Sequence, residues 1–407
     1  MNTARTLLFG FVSLGLATGA SAQDYTQWRG QNRDGSASGF VAPKAWPDTL
    51  TPAWKVEVGA GYATPLVVAN RVYTHTRQGE NEVMLALDAD TGKTLWQTPY
   101  PAPYKMNPAT KNHGQGPKAT PLFLNGRLYT LGISGIVSAF QASDGKLLWQ
   151  KPAPPVDPLY GTAMSPIADK GVVIFHVGGN NQGALTAFDA ITGDVKWSWN
   201  GDGPSYASPI IVDLGGTRQL ITMTQQNVVS VDVATGALLW QRPWVTRSTN
   251  NSTTPLRFGD TIILSGQDKG VVAVRPVKKG NEWTADTVWE SLEAATSLSN
   301  PVIVGDTLFG LSHRASGQLF ALDLQTGKVL WLGEPRAASN TAIVKAGETL
   351  FLLNDDAELI VARSSRTGFD PMKTYTVATS STWAQPAISG SRMFIKDVST
   401  LSLFRLN

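Results

Sequence analysis

The chain has 407 residues, 42% of them hydrophobic and only 16% charged, which suits a packed globular protein and excludes an intrinsically disordered one. Its formal net charge is +3 with no run of basic residues, which argues against a groove for nucleic acid. Cysteine is absent, and that removes disulfides, c-type haem attachment, thiolate metal sites and a lipid-bearing cysteine at a cleavage site.

In chain order, the first element is an export signal predicted over residues 1–22. Arg5 supplies the positive start, Leu7 to Ala17 the apolar stretch, and Ala20-Ser21-Ala22 a small-residue cleavage site before Gln23. The apolar stretch is short for a bilayer span, and none comparable follows. The expectation is a periplasmic or secreted protein with no membrane span after cleavage. Residues 23–53 then read as an N-terminal arm.

From residue 54 to 407 a single grammar repeats. A short strand opens beside a proline at Pro65, Pro121, Pro166, Pro209, Pro255, Pro301 and Pro386, with Ala342 standing in the eighth position. The spacings run between 41 and 56 residues. A second strand follows ("RVYTHT", "RLYTLG", "TLFGLS"), then a third of the "LALD" type, then a fourth ending in Trp. Four strands at a period near 45 residues predict propeller blades. "AWKVEV" around Trp54 is a fourth strand without its first three. The C-terminal "PAISGSRMFIKDVSTLSLFRL" is three strands without a fourth. The predicted fold is therefore all-β: an eight-bladed β-propeller of four-stranded antiparallel blades, with the N-terminal strand completing the C-terminal blade and closing the ring.

The most conserved phrase inside the chain joins strands three and four. "ALDADTGKTLW" ends at Trp96, and its copies end at Trp149, Trp197, Trp240 and Trp331, each with Gly four residues before the Trp. Asp88 and Thr91 suit a tight turn through side-chain bonds to the backbone, Gly92 suits positive φ, and Trp96 suits a wedge against the adjacent sheet. Blade five departs with a longer turn before Trp289. Blade seven departs with Tyr375 in the Trp place. Packing explains this phrase without any chemistry.

The phrase and its period resemble the pyrroloquinoline-quinone-type propeller repeat, from roughly Trp54 to the C-terminus. The arm sequence "QWRGQNRDG" and the stretch around "HGQGPKATPLF" resemble exported bacterial proteins of that quinone-binding-like group. The resemblance implies an eight-bladed ring and two functional classes. One is the quinoprotein alcohol dehydrogenases, which use pyrroloquinoline quinone (PQQ) with calcium. Their adjacent cysteine pair is missing here, and none of their calcium ligands or catalytic carboxylates finds a matching motif. The other is the propeller subunit of the outer-membrane assembly machinery, which binds protein partners and does no chemistry.

Topology places the loops leading into strand one and the loops between strands two and three on one face, opposite the Thr-Gly turns. That face carries the unusual residues: Lys111, His113, Tyr160, Tyr206, Arg247, Asn250, Asn251, Trp383 and Gln385 from the first group of loops. Arg77, Asp268, Lys269, His313, Arg314 and Asp355 come from the second. Polar loops are also simply solvated loops, so the concentration on one face carries more weight than any single member. The four histidines fall in different blades without ligand spacing. The preferred reading is a monomeric, non-catalytic binding or scaffold module of the cell envelope, without cofactor or metal, taking a protein partner or small molecule on this funnel face. One alternative is a PQQ-dependent dehydrogenase oxidising an alcohol or sugar with calcium; a third is saccharide or anion binding in the funnel.

Overall fold

The repeat folds as eight separate four-stranded antiparallel sheets. This computed structural model describes residues 24–406 apart from 38 and 157, so the expected export signal lies outside the described residues. Blade one runs from its inner strand, Leu66–Val68, through Arg71–Gln78 and Asn81–Asp88 to its outer strand, Thr94–Pro101. The two middle strands are almost wholly buried while the outer strand alternates, because only the middle strands are covered on both faces by neighbouring blades. Blade eight combines Ala387–Ser389, Arg392–Lys396 and Thr400–Arg405 with Pro52–Glu57, and Trp54 stands opposite Leu403. The closure read from the sequence is the closure observed, with the outer strand beginning at Pro52.

Each Thr-Gly corner is built by its aspartate. Asp88 Oδ1 accepts the backbone N–H of Asp90 at 3.2 Å and of Thr91 at 2.9 Å, and the Thr91 hydroxyl at 2.8 Å. Gly92 then takes φ +71°. Glycine has a second reason to be there. A Cβ on Gly92 would lie 2.8 Å from the Trp54 ring of the preceding blade, and one on Gly145 only 2.4 Å from Trp96. The same clash joins Gly193 to Trp149, Gly236 to Trp197 and Gly327 to Trp289. Each of these indoles also donates its N–H to a carbonyl of the next corner, as Trp54 does to Ala89 at 3.0 Å and Trp197 to Val233 at 2.9 Å. The repeated phrase is thus a tongue and its slot: each of these five Trp rings enters the corner of the next blade.

Blade seven corrects the sequence reading. The position opposite Val361, where every other blade places its Trp, is occupied by Lys373, and Tyr375 lies two residues on, opposite Leu359. Residues two apart on a strand share a face. Tyr375 therefore still packs between blades, and its hydroxyl donates to Pro47 O at 2.7 Å while Lys373 pairs with Asp48. Blade eight has no chain linking its third and outer strands, so the arm supplies the missing corner.

The arm does more than this. It crosses the axis of the ring and bonds to every blade. Tyr25 pairs with Val67 of blade one, and its hydroxyl donates to Gln385 of blade eight. Thr26 O accepts Phe123 N–H of blade two, and Trp28 donates to Thr254 of blade five at 3.0 Å. Arg33 donates to Pro166 O and Ser165 O of blade three and to Pro209 O of blade four, and Arg29 to Pro301 O of blade six. Lys345 of blade seven pairs with Asp34. Arg29 and Arg33 are 0% and 4% exposed and face no carboxylate at hydrogen-bonding distance. Burial pulls them down to about 10 and about 9 respectively, still cationic at neutral pH. The carbonyls at the start of the inner strands compensate them.

Candidate functional site

The funnel above this plug is a bowl of about 400 Å³. Its floor is Trp28 of the arm, and each blade adds to its wall through the loop leading into its inner strand. In ring order the wall is Tyr62, His113 with Lys118, Tyr160, Tyr206, Asn250 with Ser252, Leu298 with Asn300, Asn340 and Trp383. The bowl has two unlike halves. Blades eight and one to four contribute rings and a cation; blades five to seven contribute amides.

The rings are mutually inclined. His113 meets Trp383 at 4.4 Å between centroids and 74° between planes, and Tyr62 at 6.5 Å and 82°. Tyr160 and Tyr206 lie 6.0 Å apart at 34°. Lys118 donates to Tyr160 O at 3.0 Å, and burial alone pulls its ammonium down to about 8, with no carboxylate to hold it up. Burial also lowers His113, whose ring is therefore neutral at physiological pH. The amides are fixed through their oxygens. Asn300 Oδ1 accepts Thr254 N–H at 2.7 Å, Asn340 Oδ1 accepts the Ser299 hydroxyl at 2.8 Å, and Asn250 Oδ1 accepts the Ser252 hydroxyl. Among the described residues their NH₂ groups have no hydrogen-bond partner. The polar wall thus offers Lys118 and amide donors, and among the described residues no carboxylate lines it.

Of the residues singled out in the sequence, His113, Tyr160, Tyr206, Asn250 and Trp383 line the bowl together. Lys111, Arg247, Asp268 and Arg314 are exposed in the loops of the same face, with Lys269 and His313 half-buried beside them. Asp355 Oδ1 accepts Asn340 N–H at 2.9 Å and so braces the wall from behind. Three others are structural. Arg77 lies within a strand, 5% exposed, and donates to Ala102 O. The Asn251 NH₂ group bonds the carbonyls of Thr224 and Trp244, both at 2.7 Å. Gln385 holds Tyr25 and Ile343 O. Sequence reading passed over Trp28, Tyr62 and Asn340 as members of the bowl. Only the loop position before each inner strand could have flagged the latter two, and nothing local marks Trp28, whose place depends on the arm crossing the axis.

A polycarboxylate quinone with a divalent cation does not fit this lining. Calcium takes six to eight oxygen ligands, carboxylates among them, and the bowl has no carboxylate while its amide oxygens already accept hydrogen bonds. Among the described residues no group of three or more His, Asp or Glu side chains could hold a metal ion. Nor is any helix of the described residues long and apolar enough to cross a membrane.

Comparison with known proteins places these features in context. A family profile described as "Outer membrane protein assembly factor BamB" matches residues 45–107 and 80–333, well over half of the chain. The BamB of Yersinia pestis is 25% identical over 383 residues, covering 89% of this chain and 79% of that protein. The dehydrogenase subunit of the quinone alcohol dehydrogenase of Acetobacter aceti is 35% identical over 148 residues, but these are 33% of this chain and 19% of that subunit. Among solved structures, BamB of Moraxella catarrhalis superposes with a TM-score of 0.63 at 14% identity, over 88% of this chain and 98% of that one. A quinohemoprotein alcohol dehydrogenase of Pseudomonas putida HK5 superposes with a TM-score of 0.67 at 13% identity, over 95% and 80%. At such identities the superpositions speak to the eight-bladed fold alone.

Proposed function

This chain belongs to the outer membrane protein assembly factor BamB family, and from that premise we propose that it works in the cell envelope as a non-catalytic scaffold, binding a protein partner on its funnel face. The observation that carries the reading is the family profile's match across most of the ring. The finer parts rest on the sequence: export by the signal over residues 1–22, residence in the periplasm or outside the cell, and action as a monomer. Lys111, Arg247, Asp268, Lys269 and Arg314 form a charged rim around the bowl, suited to steering and registering a partner. No cofactor enters this reading.

The test compares two charge-reversed proteins expressed in place of the native one. One carries Lys111→Glu, Arg247→Glu and Arg314→Glu on the rim. The other carries Lys93→Glu, Lys146→Glu and Lys328→Glu on the turn face. The rim variant is expected to stay folded, to lose co-purification with outer-membrane assembly components, and to lower the yield of folded outer-membrane proteins. Equal loss from the turn-face variant alone would move the partner to that face.

The second reading, a PQQ-dependent dehydrogenase, is favoured by the local 35% identity to the Acetobacter aceti subunit. The carboxylate-free bowl speaks against it. Titration with PQQ and Ca²⁺, followed by dye reduction with alcohols and sugars, is expected to show neither a stoichiometric complex nor turnover.

A further inference from the structure

We propose that the bowl of the funnel binds a saccharide unit carrying a carboxylate. Three features of the lining converge on this chemistry. First, the rings form an inclined bowl rather than a parallel slot, with interplanar angles of 34°, 74° and 82°. A flat polycycle needs two near-parallel faces to be sandwiched; a puckered ring presenting C–H bonds in several directions matches inclined aromatic faces, whose negative quadrupoles attract those C–H groups. Second, the opposite wall offers the amide NH₂ groups of Asn250, Asn300 and Asn340, each amide held in place through its own oxygen. Such preorganised donors suit hydroxyl and ring oxygens arranged around a sugar. Third, Lys118 is a largely buried cation whose one hydrogen-bond partner is a carbonyl, and no carboxylate lines the bowl. A ligand carboxylate would supply the missing counter-charge through a charge-assisted hydrogen bond.

This inference stands apart from the scaffold reading, because the titration that tests it involves no protein partner. Sodium D-glucuronate and a galacturonate disaccharide are titrated into the full chain, followed by heat release and by tryptophan emission, since Trp28 and Trp383 line the bowl. D-glucose, acetate and PQQ are the comparison ligands. Both uronates are expected to bind and shift the emission, glucose to bind at least tenfold more weakly, and acetate not to bind. Lys118→Met should lower uronate affinity roughly tenfold or more, the worth of one charge-assisted bond, and leave glucose unchanged. Trp383→Leu should weaken every sugar and reduce the emission change; among the described residues the Trp383 indole has no hydrogen-bond partner, and this variant carries the test if Lys118→Met does not fold. Absence of uronate binding by the folded protein overturns the proposal. So does acetate binding as well as uronate, PQQ binding in place of the uronates, or a folded Lys118→Met protein with unchanged uronate affinity.

Discussion

Trp240 donates its indole N–H to Gln219 Oε1 of its own blade at 3.0 Å, where six other blades send that bond across to the next. The cause is the long hairpin of blade five, Gly270–Lys279 with Glu282–Ser291, which has no Thr-Gly corner to receive it. The same Gln219 oxygen accepts the Ser230 hydroxyl at 2.8 Å. Trp240 is 4% exposed, so Trp240→Ala removes both a large packed ring and one partner of a buried acceptor. The expected loss is about 3–5 kcal/mol in urea unfolding, and more than for Trp96→Ala, whose ring is only half-buried.

The corner glycines allow strain and crowding to be separated. Gly145 and Gly280 share positive φ, at +76° and +63°, but a Cβ on Gly145 would strike Trp96 while nothing lies within 4 Å of one on Gly280. Gly280→Ala is expected to cost about 1–2 kcal/mol, the left-handed penalty alone. Gly145→Ala should cost roughly 2–4 kcal/mol, because the indole slot is also filled. Equal unfolding midpoints for the two variants would show that the slot is not tight.

The arm predicts a loss that no edge-strand argument contains. Arg33→Met removes bonds to three carbonyls of two blades, each then buried without a donor. The expected cost is about 3–5 kcal/mol, with Arg33→Lys recovering only part of it, since an ammonium lacks the planar fork. Thermal melting of both variants beside the native chain decides this.

Stability should also fall in acid. Burial pulls His176 down to about 4, and its Nε2 stands 3.0 Å from Asp202 O. The unfolded chain therefore binds a proton below about pH 6.5 that the fold refuses until about pH 4, so stability is lost as pH falls through that window. His75, pulled down to about 3, acts with the same sign. Its neighbour Glu82 is raised by burial and bonded to Tyr100 at 2.7 Å, and acts with the opposite sign above the ordinary Glu range. His176→Gln is the cleaner probe, standing apart from that pair. The difference in melting temperature between pH 7 and pH 4.5 should shrink in this variant.

The ring was legible because it is written in local signals at a fixed period. Pro65 and its counterparts marked the inner strands, and Asp88, Gly92 and Trp96 marked the corner. What stayed hidden involves partners distant in sequence. Gly145 reads locally as a φ requirement, and its role as the slot for Trp96 appears only when blades stack. Lys373 reads as a surface residue, yet the longer link between the third and fourth strands of blade seven sets it opposite Val361, where the Trp belongs. For the bowl, the loop positions of His113, Tyr160, Tyr206, Asn250 and Trp383 were sufficient. Arg77, Asn251 and Gln385 look the same in sequence, but each is buried and donates to a backbone carbonyl of the fold. Trp28 could be found only by knowing that the arm lies on the axis.

The pairing of Pro52–Glu57 with Thr400–Arg405 also fixes the order in which this protein can be finished. Glu57 accepts a hydrogen bond from Ser399, 342 residues later in the chain. A chain emerging from its N-terminus first must keep one outer strand single until the last three strands arrive. Until then the first seven blades form an open crescent with an uncovered apolar sheet face at each end. Closure is therefore a late, high-contact-order event, and the interval before it is the period of greatest exposure to mispairing and proteolysis. The arm, already seated among the inner strands by its two arginines, would shorten that interval by holding residues 52–57 close to where the C-terminus must come.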